Sequence, residues 1–310
     1  MKLQDVQIPA YFRAFIERYF DDMGRKWLAE IPDIVSHYAD AWQLDLQPPF
    51  EGLTYNYVAP VTRSDGSPAV LKIGVPEQEQ RAEIFALRAF AGCGIARLLE
   101  SDVDDHVSLI ERLSPGVMLS TLFPDRDDEA TAAAARIMAE LAVPVPDEHH
   151  EFSILEGWAR GGMRGLRERF DGATGPFPSG LVEQAESLFD DLLASTDRDW
   201  LIHGDLHHMN ILSSEAHGGW LAIDPKGLIG DRAYEAAPFI LNPNTSIHTA
   251  ADLPAILARR IDILSEALEI DRQRIHSWTL AFTVLSAWWS YDTGGGWRRK
   301  IALGEVLAGR

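Results

Sequence analysis

The sequence predicts an α+β protein in which a strand-rich first part is followed by a mainly helical second part. Residues 54–61 and 69–73 have the β-branched and aromatic composition of strands, and the turn between them contains Asp65-Gly66, so the two form a hairpin. After Pro115-Gly116 the apolar residues recur at helical spacing over long stretches. The 310 residues suit two modest domains, which we place at 1–113 and 114–310.

The individual elements follow from the same patterns. In the first domain we predict helices at 11–20 and 25–43, the hairpin, a helix at 77–91 and a strand at 107–111. In the second we predict helices at about 127–142, 153–170, 181–194, 252–268 and 272–291, and short strands at 200–202 and 220–223. The two short strands flank a loop dense in His, Asp and Asn, and loops on a rigid scaffold are where reactive residues concentrate.

Composition and charge limit the function classes. The chain carries 28 Lys and Arg against 47 Asp and Glu, a net charge of −19, which disfavours binding to nucleic acid or anionic lipid. The same charge would attract a cationic ligand, but composition alone favours the plainer interpretation that acidity keeps the protein soluble. A single cysteine, Cys93, rules out an internal disulfide and a cysteine-based zinc site. Neither a secretory signal nor an apolar run long enough to span a bilayer is visible, so we expect a cytoplasmic protein.

One segment has the spacing that phosphoryl transfer requires. Asp205 and Asn210 are five residues apart in His203–Asn210, as are the catalytic Asp and the metal-binding Asn of the H-x-D-x-x-x-x-N motif. Asp224 follows a short apolar strand, in the place of the Asp that holds Mg²⁺ in kinases. Each residue alone is more typical of a turn in which Asp or Asn caps its own backbone. The ordered set favours a phosphotransfer centre instead.

The first domain offers the residues that hold ATP in such enzymes. Lys72 lies in a predicted strand and points away from Leu71 and Ile73, and Glu83 follows on the next helix, with Glu79 as the second choice. The plain alternatives are a lysine that protects an edge strand and a glutamate on a solvated helix face. A glycine-rich phosphate loop is missing from the sequence, and we assign its place to the hairpin segment that contains Asn56.

Three other functions fit parts of the pattern. A metal-dependent phosphoesterase would use the histidines and aspartates of 203–208 with Asp224, but such sites need a further cluster of ligands elsewhere in the chain. A degenerate kinase that only binds nucleotide would need no catalytic base. A protein kinase would need an activation loop and an A-P-E motif after the metal-binding Asp, and neither is present.

The motifs together resemble the aminoglycoside phosphotransferase superfamily, and more narrowly its streptomycin 6-phosphotransferase branch, the aminoglycoside/hydroxyurea resistance kinases. The resemblance rests on HGDLHHMN at 203–210, LAIDPKG at 221–227 and GDRAYE at 230–235, with supporting matches at 70–73, 82–83, 97–100, 109–116 and 287–288. Met209 departs from the family pattern, where many members have glycine.

The resemblance implies a protein-kinase-like bilobal fold that uses ATP and Mg²⁺. It implies that Asp205 is the catalytic base, that Asn210 and Asp224 bind Mg²⁺, and that Lys72 contacts the ATP phosphates. It places a hinge at 111–113, where Glu111 and Leu113 would contact the nucleotide. His203 and Glu235 would support the loop without binding a ligand.

The acceptor is the least defined part of the prediction. The resemblance favours a cationic small molecule such as streptomycin, with a sugar, an amino alcohol or hydroxyurea as alternatives. Trp288 and Asp292 are four residues apart on the last predicted helix, so they share a face and are our candidates for the acceptor pocket, whereas Trp289 is assigned to the core.

Overall fold

The chain divides into two compact units in a computed structural model that describes residues 6–147, 149–243 and 246–309. The first unit runs up to Gly92 and includes Ala96–Leu113, whereas Cys93–Ile95 and the chain from Ser114 onward form the second. Residues 93–95 join the second unit because the Ala222 amide donates to the Gly94 carbonyl at 2.8 Å. The first five residues and the last residue of the predicted domains lie outside the described residues.

The first unit combines helices with one antiparallel sheet. Its elements are α1 (Ala10–Ala41), β1 (Leu44–Leu46), β2 (Asn56–Arg63), β3 (Pro68–Gly74), α2 (Gln78–Phe90), β4 (Leu98–Asp102) and β5 (Val107–Glu111). The strand order is β1-β2-β3-β5-β4, so β3, which carries Lys72, is the central strand. This position excludes the edge-strand alternative for that lysine.

The hairpin and the helices of the first unit form for the reasons the sequence suggests. The Ser67 amide donates to the Asp65 carboxylate at 2.8 Å, and Gly66 takes a φ of +82°, which glycine adopts without strain. The two predicted N-terminal helices are one element with a kink at Asp21, whose φ is +46°. The short strands β1 and β4 were not predicted.

The core of the first unit lies between α1 and the sheet. Phe12, Ile16 and Leu28 of α1 are fully or almost fully buried in one cluster with Leu71 and Ile73 of β3. Each such side chain contributes about 1.5–3 kcal/mol when it leaves water. Alternate residues of β3 are therefore committed to the core, as the predicted alternation requires.

The second unit contains two small sheets and most of the helices. Its strands are β6 (Pro115–Met118), β7 (Val143–Pro144), β8 (Ser153–Ile154), β9 (Trp200–Ile202), β10 (Ile211–Ser214), β11 (Gly219–Ala222) and β12 (Leu228–Gly230). One sheet has the order β11-β10-β6 and the other β7-β9-β12-β8. The antiparallel pairing of β9 with β12 and of β10 with β11 brings residues 203–210 beside residues 223–227.

The helices of the second unit pack around one central helix. They are α3 (Asp127–Leu141), α4 (Leu155–Arg169), α5 (Ser179–Ala194), α6 (Ala236–Ile240), α7 (Leu253–Leu268), α8 (Arg272–Asp292) and α9 (Trp297–Leu307). α8 is buried on nearly all sides from Ile275 to Trp288, because α4, α5, α6, α7 and α9 all pack against it. Among the described residues, no helix is long and apolar enough to span a membrane.

Candidate active site

The loop between β9 and β10 turns at Gly204, where any side chain would be strained. Gly204 has a φ of +82°, and a Cβ at this position would lie 2.6 Å from Cγ of Leu228 on the neighbouring strand. The chain turns sharply at Gly204, so Asp205 lies outside the sheet, two residues after the buried His203. This turn fixes where the carboxylate of Asp205 is presented.

His203 is a neutral residue that braces the loop. Burial lowers its pKa to about 4, although hydrogen bonding to the Ile223 carbonyl opposes the shift. A neutral ring satisfies both contacts, because Nε2–H donates to the Ile223 carbonyl at 2.8 Å and Nδ1 accepts from the Asp205 amide at 3.2 Å. His203 thereby ties the loop of Asp205 to the strand that leads to Asp224.

Glu235 stabilises the same turn through hydrogen bonds to its backbone. Both of its carboxylate oxygens accept from the Gly204 amide at 3.2 Å. Burial raises the pKa of Glu235 to about 7, while hydrogen bonds from the backbone of residues 204, 203 and 206 oppose the rise. A buried carboxylate that binds the loop backbone in this way holds the loop in one conformation.

The carboxylate of Asp205 lies close to a lysine ammonium. Desolvation pushes the pKa of Asp205 up, but the charge of Lys226 and weaker effects of other nearby groups pull it further down, so the pKa lies below the ordinary value. Nζ of Lys226 is 3.8 Å from the Asp205 carboxylate. A third of the Asp205 side chain stays exposed (33%). The geometry therefore presents an ionised carboxylate that a reactant can reach.

Asn210 and Asp224 provide hard oxygen atoms from two adjoining segments. The Asn210 side-chain amide donates to the Asp205 carbonyl at 3.1 Å, which leaves its oxygen for another partner. The Ile223 amide donates to the Asn210 carbonyl at 2.9 Å, so the two segments run side by side. Asp224 is exposed and has a φ of +57°, in the left-handed region that Asp adopts more readily than most non-glycine residues. This donor set fits Mg²⁺, which takes one or two protein oxygens besides phosphate and water.

Sequence reasoning missed a buried anchor of the loop. His208 stacks on Phe239 with ring centroids 4.1 Å apart and lies 3.5 Å from the guanidinium of Arg260. Arg260 is fully buried and forms an ion pair with Asp127 at 2.7 Å. The one available signal is the spacing of α7, since residue 260 falls on the apolar stripe of Leu257, Ile261 and Leu264.

The first unit contains a buried ion pair at the predicted ATP lysine. Nζ of Lys72 donates to Oε1 of Glu83 at 2.6 Å, and the two side chains are 6% and 9% exposed. This contact excludes a solvated helix face as the setting of Glu83. Glu79, the second choice, lies one turn earlier on α2.

Three further residues, Asn56, Glu111 and Leu113, were predicted to contact the nucleotide, and all three lie in the first unit. Asn56 is the first residue of β2 rather than part of a loop, and its side-chain oxygen is buried without a hydrogen-bond partner within the described chain. The Glu111 carboxylate accepts from Nε of Arg97 at 3.1 Å, so its side chain is engaged at the end of β5. Leu113 is buried. Their proposed roles toward ATP stay predictions.

The two tryptophans at the end of α8 differ in exposure, and a role for Trp288 in binding the acceptor stays a prediction. Trp288, which we expected to line an acceptor pocket, is buried against Phe170 and Tyr291. Trp289, which we expected in the core, is half-buried and meets Trp158 edge-on at 5.1 Å. Because α8 is buried on almost all sides, its sequence has no apolar stripe that would show which of two adjacent tryptophans is the more exposed. Asp292 is exposed at the end of α8.

The metallophosphoesterase alternative would need a cluster of metal ligands. Throughout residues 6–147, 149–243 and 246–309, no group of three or more His, Cys, Asp or Glu side chains is arranged to hold a metal ion. The ring nitrogens of His203 are engaged by the loop itself, as described above.

The fold is protein-kinase-like. The structure of a thermostable mutant of aminoglycoside phosphotransferase APH(4)-Ia, in a ternary complex with AMP-PNP and hygromycin B, matches with a TM-score of 0.62 at 16% identity, over 90% of this chain and 99% of that one. The predicted α+β, protein-kinase-like fold is thus confirmed.

Sequence comparison identifies the family. Residues 47–294 match the family of aminoglycoside/hydroxyurea antibiotic resistance kinases, and the chain belongs to it. It is 31% identical to the streptomycin 6-kinase of Streptomyces griseus, over 98% of this chain and 97% of the relative. It is 33% identical to the hydroxyurea phosphotransferase of Kitasatospora aureofaciens, over 98% of this chain and 87% of that relative. The chain is therefore a small-molecule kinase that uses ATP and acts on a hydroxyl group, as predicted.

Proposed function

We infer that this kinase transfers the γ-phosphoryl group of Mg²⁺-bound ATP to a hydroxyl of a streptomycin-type aminoglycoside. The observation that carries the phosphotransfer centre is the braced loop, in which Asp205 is ionised and reachable and two oxygen donors lie on adjoining segments. The choice of acceptor rests on the streptomycin 6-kinase relative, which matches almost the whole chain.

Asp205 serves as the base for the acceptor hydroxyl. As the hydroxyl oxygen bonds to the γ-phosphorus, the bond from that phosphorus to the β–γ bridging oxygen breaks and the hydroxyl proton moves to the Asp205 carboxylate. The low pKa of Asp205 suits a transfer in which the proton leaves late, once the new O–P bond has begun to form. His203 and Glu235 act earlier, since they hold the loop in place before the acceptor arrives.

Asn210 and Asp224 would hold Mg²⁺ through one amide oxygen and one carboxylate. The bound cation would neutralise charge on the phosphates. The Lys72 ammonium would bind ATP phosphate oxygens, and Glu83 would hold that ammonium in place.

A cationic acceptor agrees with the charge of the chain. The net charge of −19 raises the local concentration of cations, and the exposed Asp292 is a candidate contact for a guanidinium or amine. We expect the protein to act in the cytoplasm, where its nucleotide is supplied.

Hydroxyurea is the second candidate acceptor. The hydroxyurea phosphotransferase relative is 33% identical, which is comparable with the 31% of the streptomycin 6-kinase. Hydroxyurea is small and neutral, so it would need neither a large pocket nor an acidic one.

An ADP-release assay with a panel of acceptors tests the proposal. The panel contains streptomycin, hygromycin B, a simple sugar, choline and hydroxyurea, each with and without Mg²⁺. We expect Mg²⁺-dependent turnover with streptomycin. Turnover only with hydroxyurea or the sugar would overturn the aminoglycoside assignment, and ADP release that is the same without any acceptor would overturn the kinase proposal itself.

A further inference from the structure

The loop that joins β1 to β2 lies at the end of the strand pair that carries Lys72. The Phe50 amide donates to the Val58 carbonyl at 3.0 Å, so the ladder of these two strands extends to Phe50 and the loop comprises residues 51–55. In the sheet, Val58 lies directly opposite Lys72. Because paired residues of antiparallel strands point to the same face, the loop leads into the face on which the Lys72 ammonium would meet ATP phosphates. In protein kinases, the loop that covers the phosphates likewise precedes the strand with this lysine.

The hydroxyl of Tyr11, in the first turn of α1, accepts hydrogen bonds from two consecutive amides of this loop. Its oxygen lies 2.9 Å from the amide nitrogen of Gly52 and 3.1 Å from that of Leu53. Gly52 has a φ of +77°, which glycine adopts without strain, and consecutive N–H groups in such a turn can converge on one electronegative atom. The Tyr11 hydroxyl therefore fixes the backbone of the loop at its turn.

Aromatic side chains of α1 contact the last residue of the same loop. The ring centroid of Tyr55 lies 5.3 Å from that of Phe15 and 5.4 Å from that of Tyr19, and both pairs meet edge-on. Phe20 makes a third edge-on contact at 6.3 Å. Edge-to-face contacts are favourable and orient the rings. The helix α1 thus contacts the loop at its turn and again where it enters β2.

We propose that Tyr11 is a positioning residue for ATP, whose hydroxyl holds the loop of residues 51–55 in the conformation that binds the phosphates. The inference deepens the proposed function and rests on it. A loop that is already ordered binds its ligand without a cost for ordering. When only a fraction of the molecules has the loop in the binding conformation, the apparent affinity falls by that fraction.

The Tyr11→Phe variant isolates the hydroxyl from the rest of the side chain. Tyr11 is 49% exposed, so loss of the hydroxyl opens no cavity in the core and the ring stays. Tyr38→Phe is the matched control, because Tyr38 is also on α1 and its hydroxyl donates to the Asp105 carboxylate at 2.7 Å. The control loses one hydroxyl hydrogen bond between α1 and a turn of the first unit, but not one to the loop of residues 51–55.

The test measures the binding of AMP-PNP and of adenosine to the wild type and both variants by calorimetry, and the kinetic constants for ATP by ADP release. We expect Tyr11→Phe to weaken AMP-PNP binding and to raise the KM for ATP by about 10-fold, which corresponds to the net contribution of about one hydrogen bond. The kcat should change little, because the loop is ordered again once ATP is bound. Adenosine has no phosphates, so its affinity should stay at the wild-type value, and Tyr38→Phe should bind both ligands as the wild type does.

Four results would overturn the inference while the proposed function stands. The first is an unchanged affinity of Tyr11→Phe for AMP-PNP. The second is a tighter affinity, which would show that the hydroxyl competes with a phosphate for the two amides. The third is an equal loss for AMP-PNP and adenosine, and the fourth is the same loss in Tyr38→Phe, because each would indicate a general effect on the first unit.

The wild-type enzyme separates this inference from the acceptor proposal. A wild type that binds AMP-PNP but phosphorylates no aminoglycoside would overturn the proposed acceptor and leave the role of Tyr11 standing. A wild type that binds no AMP-PNP would overturn the proposed function, and this inference with it.

Discussion

The buried side chain of Glu235, which binds the backbone of the loop that carries Asp205, makes the free energy of unfolding depend on pH. The pKa of Glu235 is about 7 in the folded protein because the side chain is buried, and it returns to the ordinary value of a glutamate, 4.5, when the chain unfolds. Folding then favours the protonated form. The contribution to stability is complete below the unfolded pKa and is lost as the pH rises through the folded pKa.

The magnitude follows from the difference between the two pKa values. A shift from 4.5 to about 7 corresponds to about 3 kcal/mol of unfolding free energy at about 1.4 kcal/mol per pKa unit. We expect Glu235→Gln to remove this dependence, since a glutamine can still accept a hydrogen bond from Gly204 and does not ionise. Its stability relative to the wild type should therefore rise between about pH 5 and pH 8 by that amount.

The measurement is urea unfolding followed by tryptophan fluorescence across this pH range. Of nine tryptophans only Trp27 and Trp42 precede the second unit, so the signal reports mainly on the unit that contains Glu235. The exposed Glu266→Gln on α7 is the matched control and should show the wild-type pH dependence. Identical pH dependence in wild type and Glu235→Gln would refute the reasoning.

Three further predictions concern the ATP pair, the metal and the acceptor. Lys72→Met or Glu83→Leu alone should lower the free energy of unfolding of the first unit by about 3–5 kcal/mol, because each removes one member of a buried ion pair. The double variant should recover most of this loss. Effects of the two single variants that simply add in a double-mutant cycle would contradict the prediction. Asp224→Ala should weaken binding of Mg²⁺-ATP in calorimetry far more than binding of metal-free ATP, and equal losses would indicate a folding role. The KM for streptomycin should rise as salt increases to about 0.15 M, where charges are screened over about 8 Å, and a KM independent of salt would argue against a cationic acceptor held by exposed charge.

Local patterns were enough to predict most of the fold. Strand alternation, the Asp65-Gly66 turn and helical spacing gave β2, β3, α2, β5 and most helices of the second unit within a few residues. The short strands β1, β4, β6, β7, β8, β10 and β12 and the helices α6 and α9 were missed, because two to five residues, or a segment rich in charges, carry little periodic signal. Their pairing partners stabilise them, and those partners are distant in sequence.

The candidate site was predictable where its residues follow one another in the chain. Asp205, Asn210 and Asp224 were predicted from spacing, and the structure shows how the loop that carries Asp205 and Asn210 is braced. Lys226 and Arg260 were not given roles, because their partners Asp205 and Asp127 come from other segments and only the fold brings them together.

The acceptor side was the least predictable. Trp288 and Trp289 differ by one position in a helix surrounded by others, so no amphipathic pattern distinguishes the buried ring from the more exposed one. The exposure of such residues is decided by packing with α4, which the sequence of α8 does not encode.

The most direct test of the phosphotransfer centre is the rate of phosphorylated product formed by Asp205→Asn, measured by mass spectrometry beside the exposed control Asp199→Asn. Asparagine keeps the size of the side chain but cannot accept the hydroxyl proton as a carboxylate does. We predict a loss of at least about 10²-fold in kcat with AMP-PNP affinity preserved, and wild-type turnover in the control. Turnover by Asp205→Asn at the wild-type rate would contradict the assignment of Asp205 as the base.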